Sequence, residues 1–313
     1  VLGYVSADYK IVDWLTLTLR SAIDTYHDVQ NERYAMGSVG LSDFTTRQRN
    51  MLESNTDLML KFNKGLGDWS LNGLVGANYR YRQYQSLTGS TVGGLVVPEL
   101  YNVTNSVDPY TVGESLAILG EQSLYGNLSV GYGGFAYVEG TARLDQSSTL
   151  RGLNPDADDT YFYPSVAGTV LLHVIGGLQD VAWMNYLKLR VNWAQVGAAT
   201  GPYRTISTYG KGVNWSNLAL FSVANTLQNP NLRPEYTNSI EVGLEAYFFE
   251  SRLGIDLALY KTNSFDQIFA VPVSRASGYS SMYVNGGEME NKGVEIAFHA
   301  VPVKTNDFTW NLD

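Results

Sequence analysis

The sequence predicts an all-β protein: an antiparallel transmembrane β-barrel, with about twelve strands in this chain. Three observations predict this fold. Apolar and polar residues alternate along most segments, short and long breaks alternate between those segments, and the chain has no apolar run long enough for a transmembrane helix. A transmembrane strand needs only about 9–11 residues of alternating pattern. The 313 residues are too many for an average single domain but acceptable for one large all-β barrel.

Strict alternation is typical of strands with one apolar and one polar face. It is clearest in "YLKLRVNW", "SIEVGLEAYF", "RLGIDLALYK" and "GVEIAFH". Backbone groups in lipid must all pair, so the sheet must close, with its apolar face outward and its polar face toward a wet lumen. The predicted lipid-facing residues are Leu187, Leu189, Val191, Trp193, Ile240, Val242, Leu244, Leu253, Ile255, Leu257, Leu259, Val294, Ile296 and Phe298. The predicted lumen-facing residues are Lys188, Arg190, Glu241, Glu245, Asp256, Glu295 and His299.

The breaks between the predicted strands are of two kinds. Short ones fall near 9–13, 63–68, 131–134, 176–184, 249–251 and 303–307. Long ones fall near 27–50, 82–123, 145–161, 197–237 and 263–291. We therefore expect strands of about 8–13 residues, joined by tight turns at one end and long loops at the other. A compact soluble domain seldom carries several loops longer than about 15 residues, whereas an outer-membrane barrel does so routinely.

Composition excludes some classes of protein. The chain has 21 basic and 30 acidic side chains, a net charge of -9, which argues against a nucleic-acid partner. It has no Cys, so disulfides, zinc–thiolate sites and Cys nucleophiles are impossible. No signal peptide is visible, and both "VLGYVSADYK" and "FTWNLD" resemble strands in progress. We therefore expect the chain to be a segment of a longer protein.

Several stretches together resemble one family. They are "NPNLRPEYTNSIEVGLEAYFFESRLGIDLALYKTNSFDQI" and "VPVSRASGYSSMYVNGGEMENKGVEIAF", supported upstream by "YFYPSVAGTVLLH", "YLKLRVNWAQVG" and "TVGGLVVPELYNVTNS". On these residues the sequence resembles the SusC/RagA-type TonB-dependent outer-membrane transporters of Bacteroidetes. It departs from the family's pattern at "GAATGPY", where relatives often carry a "GNDQI"-like stretch.

The resemblance implies more than the residue pattern shows. It implies a plugged barrel of the 22-stranded class, with residues 1–313 forming part of one barrel domain and with the N-terminal plug and the last strands outside this chain. It implies import of large nutrients, oligosaccharides or peptides, across the bacterial outer membrane. A SusD-like surface lipoprotein would cover the extracellular loops, and TonB with ExbB–ExbD would act through the plug. The tight turns would then face the periplasm.

Candidate chemical sites are few. "NPDADDT" places Asp156, Asp158 and Asp159 on a predicted loop, a candidate Ca²⁺ site. Its sixth position is Asp159 rather than Gly and its twelfth is Ser165 rather than Glu, which favours a solvated turn. The three His residues lack metal-ligand spacing and no G-x-S-x-G elbow is present, so we predict no other cofactor, no catalytic residues and no enzyme.

The long loops carry aromatic residues that could bind a ligand or the lid protein, or could pack against their own loops. These residues are Tyr101, Tyr110, Tyr203, Tyr209 and Trp215. In "VNGGEMENKGVEIAF" we expect Glu288 and Glu290 to lie in a loop and Glu295 to lie in the following strand, so that the three carboxylates form no cluster.

Two alternatives to a transporter stay open. One is a passive or adhesive outer-membrane barrel that binds partners through its long loops. The other is a soluble all-β carbohydrate-binding protein or glycosidase. A glycosidase would need two carboxylates facing one cleft, and no spacing in the sequence identifies such a pair.

Overall fold

A computed structural model describes residues 1–177, 181, 183–212, 214–216 and 218–312. Within these ranges most residues lie in β-strands. The strands are β1 (Leu2–Val12), β2 (Leu15–Tyr34), β3 (Asp43–Leu66), β4 (Trp69–Leu95), β5 (Ser106–Tyr132), β6 (Ala136–Ser147), β7 (Thr160–Leu171), β8 (Met184–Ala198), β9 (Tyr209–Lys211), β10 (Phe221–Val223), β11 (Thr226–Leu227), β12 (Glu235–Phe248), β13 (Leu253–Pro272), β14 (Ser281–Lys304) and β15 (Thr309–Leu312). The helices are α1 (Ser148–Arg151), α2 (Leu172–Ile175) and a 3-10 turn at Arg275–Ser277. None of these helices could cross a membrane.

Most strands join one sheet in the order β1-β2-β3-β4-β5-β6-β7-β8-β12-β13-β14-β11, with β15 also paired to β14. The pairings from β6 to β8 and from β8 through β12 and β13 to β14 are antiparallel. The short β11 runs parallel to β14, and β9 and β10 form a separate hairpin. The predicted all-β antiparallel fold is confirmed.

Contacts between Cα atoms divide the chain into two compact units. The first unit comprises Val1–Ala7, Leu19–Asp57 and Asn78–Glu121, and the second comprises Asp8–Thr18, Leu58–Ala77 and Gln122–Asp313. Each unit is described by itself below. The single barrel domain expected from the sequence stays a prediction.

The strands are longer than predicted. β2 to β5 run for 20, 24, 27 and 27 residues instead of about 8–13. The expected loops at 27–50, 82–123 and 263–291 shrink to the segments 35–42, 96–105 and 273–280. The predicted strands are too short because polar and Gly-rich stretches such as "QSLTGSTVGGL" have the composition of loops, although in the structure this stretch is part of β4. Where neither face is buried in an apolar phase, alternation is not required for pairing.

The predicted tight turns agree with the structure where it describes them. The turn between β12 and β13 is made by Phe249, Glu250 and Ser251, which all adopt left-handed φ angles of 54° to 62°. Residues 178–180 and 182 of the break at 176–184 lie outside the described residues. Exposed aromatic side chains flank the short turns of the second unit: Trp14, Trp69, Tyr132, Trp183, Phe249, Phe308 and Trp310.

The register brings the predicted apolar residues together on one face of the sheet. Directly opposed partners share a face. One row joins Val191, Val242, Leu259 and Val294, and the next joins Leu189, Leu244, Leu257 and Ile296. We call this the apolar face. Its β14 residues Val294, Ile296 and Phe298 are exposed by 50–69%. That it meets lipid stays a prediction.

The stretch "VNGGEMENKGVEIAF" lies wholly inside β14, so the predicted loop position of Glu288 and Glu290 is wrong. Glu288 pairs with Phe265 and Glu290 with Asn263 across the ladder to β13. The strand can accommodate this polar stretch because Gly287, at φ 75°, permits a local irregularity opposite Asp266, at φ 55°. The expected absence of a three-carboxylate cluster holds, since Glu295 lies on the opposite face from Glu290 by strand alternation.

Candidate functional site

The candidate site is the polar face of the sheet, opposite the apolar face. In the second unit, cross-strand pairing places Lys188, Arg190, Glu241, Glu245 and Asp256 on this face. The same register adds Glu295, opposite Ala258, and His299, opposite Gly254. All seven residues predicted to face the lumen therefore share one face. Its assignment to a lumen stays a prediction.

Ion pairs cross the polar face of β8, β12 and β13. Lys188 Nζ lies 3.1 Å from Glu245 Oε2 on the neighbouring strand. Arg190 extends further: its guanidinium donates to both carboxylate oxygens of Asp256 at 2.8 and 3.1 Å, and its Nε lies 3.5 Å from Glu241. Asp256 is on β13, so Arg190 spans β12 to reach it. A bidentate arginine–carboxylate pair fixes geometry as well as charge.

A single glycine makes this crossing possible. Gly243 on β12 pairs with Arg190, and a Cβ atom built there would lie 2.3 Å from Arg190 Nε. Any other residue at this position would push the Arg190 side chain off the sheet. The sequence "EVGLEAY" gave no signal of this role, because the role depends on the residue of the neighbouring strand.

A second cluster on the polar face joins β5, β6 and β7. Arg143 Nε donates to Asp145 at 2.7 Å, and Arg143 Nη2 donates to Ser123 Oγ at 2.8 Å. The Tyr163 hydroxyl donates to the other oxygen of Asp145. The Arg143 guanidinium also lies 5.3 Å from the centroid of the Tyr125 ring, a cation–π distance. Asp145 and Ser123 are buried, and the negative charge of Asp145 is paired with the positive charge of Arg143.

Sequence reasoning missed this second cluster. Its signal was the spacing of Arg143 and Asp145, two apart in "ARLDQ" and hence on one face of a strand. Register places Tyr163 opposite Arg143. Residues Leu74, Tyr125, Arg143, Tyr163, Ser165 and Gln195 help to line a cavity of about 400 Å³ beside it.

The first unit has ion pairs of the same kind. Arg80 bridges Glu53 at 2.8 Å and Glu121 at 3.0 Å, and Arg20 lies 2.8 Å from Asp57. Glu53 and Glu121 hold Arg80 between them from two neighbouring segments of the unit. The charged residues of this unit are thus largely engaged with one another.

A segment between β11 and β12 packs tightly against other parts of the second unit. Leu232 is completely buried in a cluster with Leu150 of α1, Tyr161 of β7 and Ile268 of β13. This segment holds the motif "NPNLRPE". The motif is therefore a structural anchor for α1, β7 and β13.

Side-chain hydrogen bonds fix the same segment to β13 and β14. Asn285 Oδ1 accepts from the Arg233 backbone N–H at 2.8 Å, and its Nδ2 donates to the Arg233 carbonyl at 2.7 Å. Arg233 also reaches Asp266 at 3.1 Å, and Glu235 accepts from the backbone of Ile268 at 2.8 Å. The two stretches that carried the family resemblance are thus one packed unit in three dimensions.

The predicted loop aromatics lie in different environments. Tyr101 is in a loop, where its ring lies 6.3 Å from Phe44 and 5.3 Å from the guanidinium of Arg33. The predicted loop position of Tyr110 is wrong, because Tyr110 lies within β5, which extends beyond the apolar pattern. Tyr203 is exposed in a loop with φ 65°, and Tyr209 is exposed on β9. Trp215 is exposed and bridges to Leu218. Ligand or lid contact by these residues stays a prediction.

The predicted loop "NPDADDT", residues 154–160, is organised around one buried carboxylate, that of Asp159. Asp159 is 7% exposed and accepts from Gln146, Arg151 and Thr160. Asp156 and Asp158 are exposed. In the described part of the chain, no group of three His, Cys, Asp or Glu side chains is placed to hold a metal ion. Calcium binding here stays a prediction.

An antiparallel sheet with one apolar face and one ion-paired polar face is compatible with the wall of a β-barrel. Residues 2–313 match the family model "TonB dependent receptor-like, beta-barrel". The chain therefore belongs to this family, and the resemblance found in the sequence is confirmed.

Individual relatives agree with the family assignment. The chain is 31% identical over 195 residues to TonB-dependent receptor P26 of Formosa agariphila, covering 60% of this chain and 19% of that protein. It is 28% identical over 169 residues to TonB-dependent receptor SusC of Bacteroides thetaiotaomicron, covering 48% of this chain and 16% of that protein. The chain thus spans about a fifth of the length of these relatives.

Solved structures show the same fold. A structure of the RagAB peptide transporter superposes with a TM-score of 0.83 at 20% identity, covering 99% of this chain and 34% of that one. The ferric citrate transporter FecA superposes with a TM-score of 0.61 at 10% identity, covering 96% of this chain and 38% of that one.

Proposed function

We propose that this chain forms part of the wall of an outer-membrane transporter that imports large nutrients, oligosaccharides or peptides, in a TonB-dependent manner. One observation carries the proposal: the sheet presents a continuous apolar face across β8, β12, β13 and β14, backed by ion-paired charges on the other face. Such a sheet suits a bilayer when it closes with its apolar face outward.

The proposed mechanism is binding and gating, with no bond broken. The polar face would line the lumen, and its cations and anions are already paired with each other. A wall of paired charges holds its shape and offers little net charge to a passing solute. The chemistry asked of these residues is therefore hydration and positioning, which requires no catalytic group and no cofactor.

The proposed partners lie outside this chain. A SusD-like surface lipoprotein would cover the extracellular loops, and TonB with ExbB–ExbD would act through a plug domain. Support comes from the names of the relatives, which include SusC and several TonB-dependent receptors, and from the fold shared with the RagAB peptide transporter. We propose the bacterial outer membrane as the location, with the strands as multiple passes.

The test uses the full-length protein in its native host. A strain lacking the gene is compared with the complemented strain for uptake of defined oligosaccharides and peptides, each with and without TonB. We expect uptake of one solute class to need both the gene and TonB. Uptake that needs the gene but persists without TonB would show a passive barrel. A protein released without detergent, with unchanged gel migration on heating, would refute the membrane location.

A further inference from the structure

One half-buried arginine of the second unit lacks an anion. Arg143, Arg151, Arg190 and Arg233 each pair with an aspartate at 2.7 to 3.2 Å. Arg204 is half-buried in the segment between β8 and β9, yet it forms no salt bridge with any residue that the structure describes. Removing a cation from water is costly unless an anion compensates it. The position of Arg204 therefore favours an anion from outside the chain.

The guanidinium of Arg204 is held in place but keeps one edge open. Its Cζ lies 5.0 Å from the centroid of the Tyr283 ring, and its Nη1 donates to Thr200 Oγ1 at 3.3 Å. Its Nε and Nη2 have no acceptor among the described residues, and neither belongs to the buried atoms without a partner, so solvent reaches both. These two nitrogens form the edge that can donate two parallel hydrogen bonds to a carboxylate.

The backbone around Arg204 is fixed on both sides. Thr200 and Thr205 are only 6% and 4% exposed. Thr205 Oγ1 donates to the carbonyl of Thr149 at 3.3 Å, and the carbonyl of Arg204 accepts from the Asn229 backbone N–H at 3.1 Å. A side chain that is already positioned loses little conformational freedom when a ligand binds. The open edge of Arg204 is therefore preorganised for binding.

The residue before Arg204 is an exposed aromatic in a strained conformation. Tyr203 is 47% exposed and has a left-handed φ of 65°. It follows Pro202, and a positive φ at the position after proline in a turn favours Gly or Asn rather than an aromatic residue. Strain of this kind is concentrated at functional sites. The exposed ring of Tyr203 can pack against a sugar ring or an apolar side chain.

We propose that Arg204 and Tyr203 form a binding site for a carboxylate group of the imported solute. Arg204 binds the carboxylate through Nε and Nη2, and Tyr203 packs against the part of the solute beside it. The inference rests on the function proposed above: the segment follows β8 at the end of the sheet opposite the tight turn between β12 and β13, which is then the extracellular end. Two solute classes carry such a group, oligosaccharides with uronate units and peptides with a free C-terminus.

The experiment measures binding to the full-length protein in detergent by isothermal titration calorimetry. Two matched pairs of probes are used: a uronate oligosaccharide with its carboxyl-reduced form, and a peptide without acidic side chains with its C-terminally amidated form. We expect the wild type to prefer the carboxylate member of at least one pair by about tenfold, which is typical of a charge-assisted hydrogen bond. The preference should weaken as salt is added. The pair that shows it identifies the solute class.

Variants separate the two residues from each other and from general charge. Arg204→Gln should lose the preference and still bind the neutral member, whereas Arg204→Lys should keep part of it, because lysine retains the charge without the planar fork. Tyr203→Gly should weaken binding of both members and keep the preference, since glycine suits a φ of 65° and preserves the turn. Arg275→Gln is the matched control: Arg275 is exposed in the loop before β14, also without a salt bridge in the described structure, and its loss should change nothing.

Three results would overturn the proposal. They are equal binding of both members of each pair by the wild type, an unchanged preference in Arg204→Gln, and an equal loss of preference in Arg275→Gln. Unchanged affinity in Tyr203→Gly would remove Tyr203 from the site. Heat-modifiable migration shows that each variant has assembled its barrel. TonB-dependent uptake without a carboxylate preference refutes only this site, whereas a carboxylate preference without TonB-dependent uptake refutes the proposed function and leaves the site.

Discussion

Replacing Gly243 by Ala should destabilise the protein by displacing Arg190. The added Cβ would lie 2.3 Å from Arg190 Nε and 2.7 Å from its Cγ. Because the clash includes a carbon near the base of the side chain, moving the guanidinium alone does not relieve it. Arg190 would leave the face of β12 and lose Asp256, to which it donates at 2.8 and 3.1 Å.

The expected change in the free energy of unfolding depends on how exposed Arg190 and Asp256 are to solvent. Charge-assisted hydrogen bonds contribute about 1.5–3 kcal/mol when well shielded, but Arg190 and Asp256 are 25% and 39% exposed, so solvent screening lowers this to about 1 kcal/mol for the pair. Packing strain adds to the loss. The lower chain entropy of Ala in the unfolded state returns about 0.5 kcal/mol. We therefore expect Gly243→Ala to lower the free energy of unfolding by about 1 kcal/mol.

Urea unfolding of the full-length protein in detergent micelles, followed by Trp fluorescence, measures this effect. In a double-mutant cycle, Arg190→Ala should cost much less in the Gly243→Ala background than in the wild type, a coupling of about 1 kcal/mol. Gly168→Ala is the matched control, because a Cβ at this strand glycine meets no atom within 4 Å. Additive effects of the two substitutions, or equal stabilities of Gly243→Ala and Gly168→Ala, would refute the reasoning.

Three further outcomes are expected. Ile296→Lys places a charge on the apolar face and should make the free energy of folding into bilayers less favourable by about 2–4 kcal/mol. Ala297→Lys, on the polar face opposite Asp256, should be tolerated. Equal effects of the two substitutions on refolding into liposomes would exclude the lipid-facing assignment. Leu232→Ala, at a fully buried position, should lower unfolding stability by about 2–5 kcal/mol; thermal melting comparable to the wild type would contradict this. Asp145→Asn should cost about 2 kcal/mol, because an NH2 donor replaces one of the two oxygens that accept from Arg143 and Tyr163 and the charge of Arg143 loses its partner. An unchanged urea midpoint would count against it.

The exchange of Glu288 or Glu290 for Gln tests whether the stretch "VNGGEMENKGVEIAF", which carries part of the family resemblance, has only a structural role. Both residues lie in the ladder between β13 and β14, and among the described residues no group of three His, Cys, Asp or Glu side chains is placed to hold a metal ion. We expect uptake to be unchanged in either variant. Loss of uptake, with barrel assembly and lid binding intact, would show a direct role in transport.

A strand could be predicted from the sequence where one of its faces is apolar and the other polar. On β8, β12, β13 and β14 one face is apolar and the other charged, so residues such as Ile240 and Glu241 show the period-two pattern directly. The distal parts of β4 and β5 carry Ser, Thr and Gly on both faces and so lack a clear apolar row. Backbone pairing continues there without a signal in the sequence, and for this reason the sequence pattern predicts a loop at Tyr110.

The candidate site was predictable only residue by residue. Alternation placed Lys188, Arg190 and Asp256 on one face, as the register confirms. The partner of each charge depends on which strands are neighbours and on their stagger, and a single sequence does not contain either. For the same reason the role of Gly243 was invisible, since it is defined by Arg190 on another strand.

The crossing of Arg190 over Gly243 has a consequence for how the sheet chooses its stagger during assembly. A slip of one residue is rejected at once, because it turns every apolar side chain to the wrong face. A slip of two residues keeps the faces correct, so alternation alone does not detect it. Such a slip would bring Glu241 or Glu245 opposite Arg190 in place of Gly243 and deny Asp256 both of its hydrogen bonds. Arg190 and Gly243 together therefore favour one register among β8, β12 and β13.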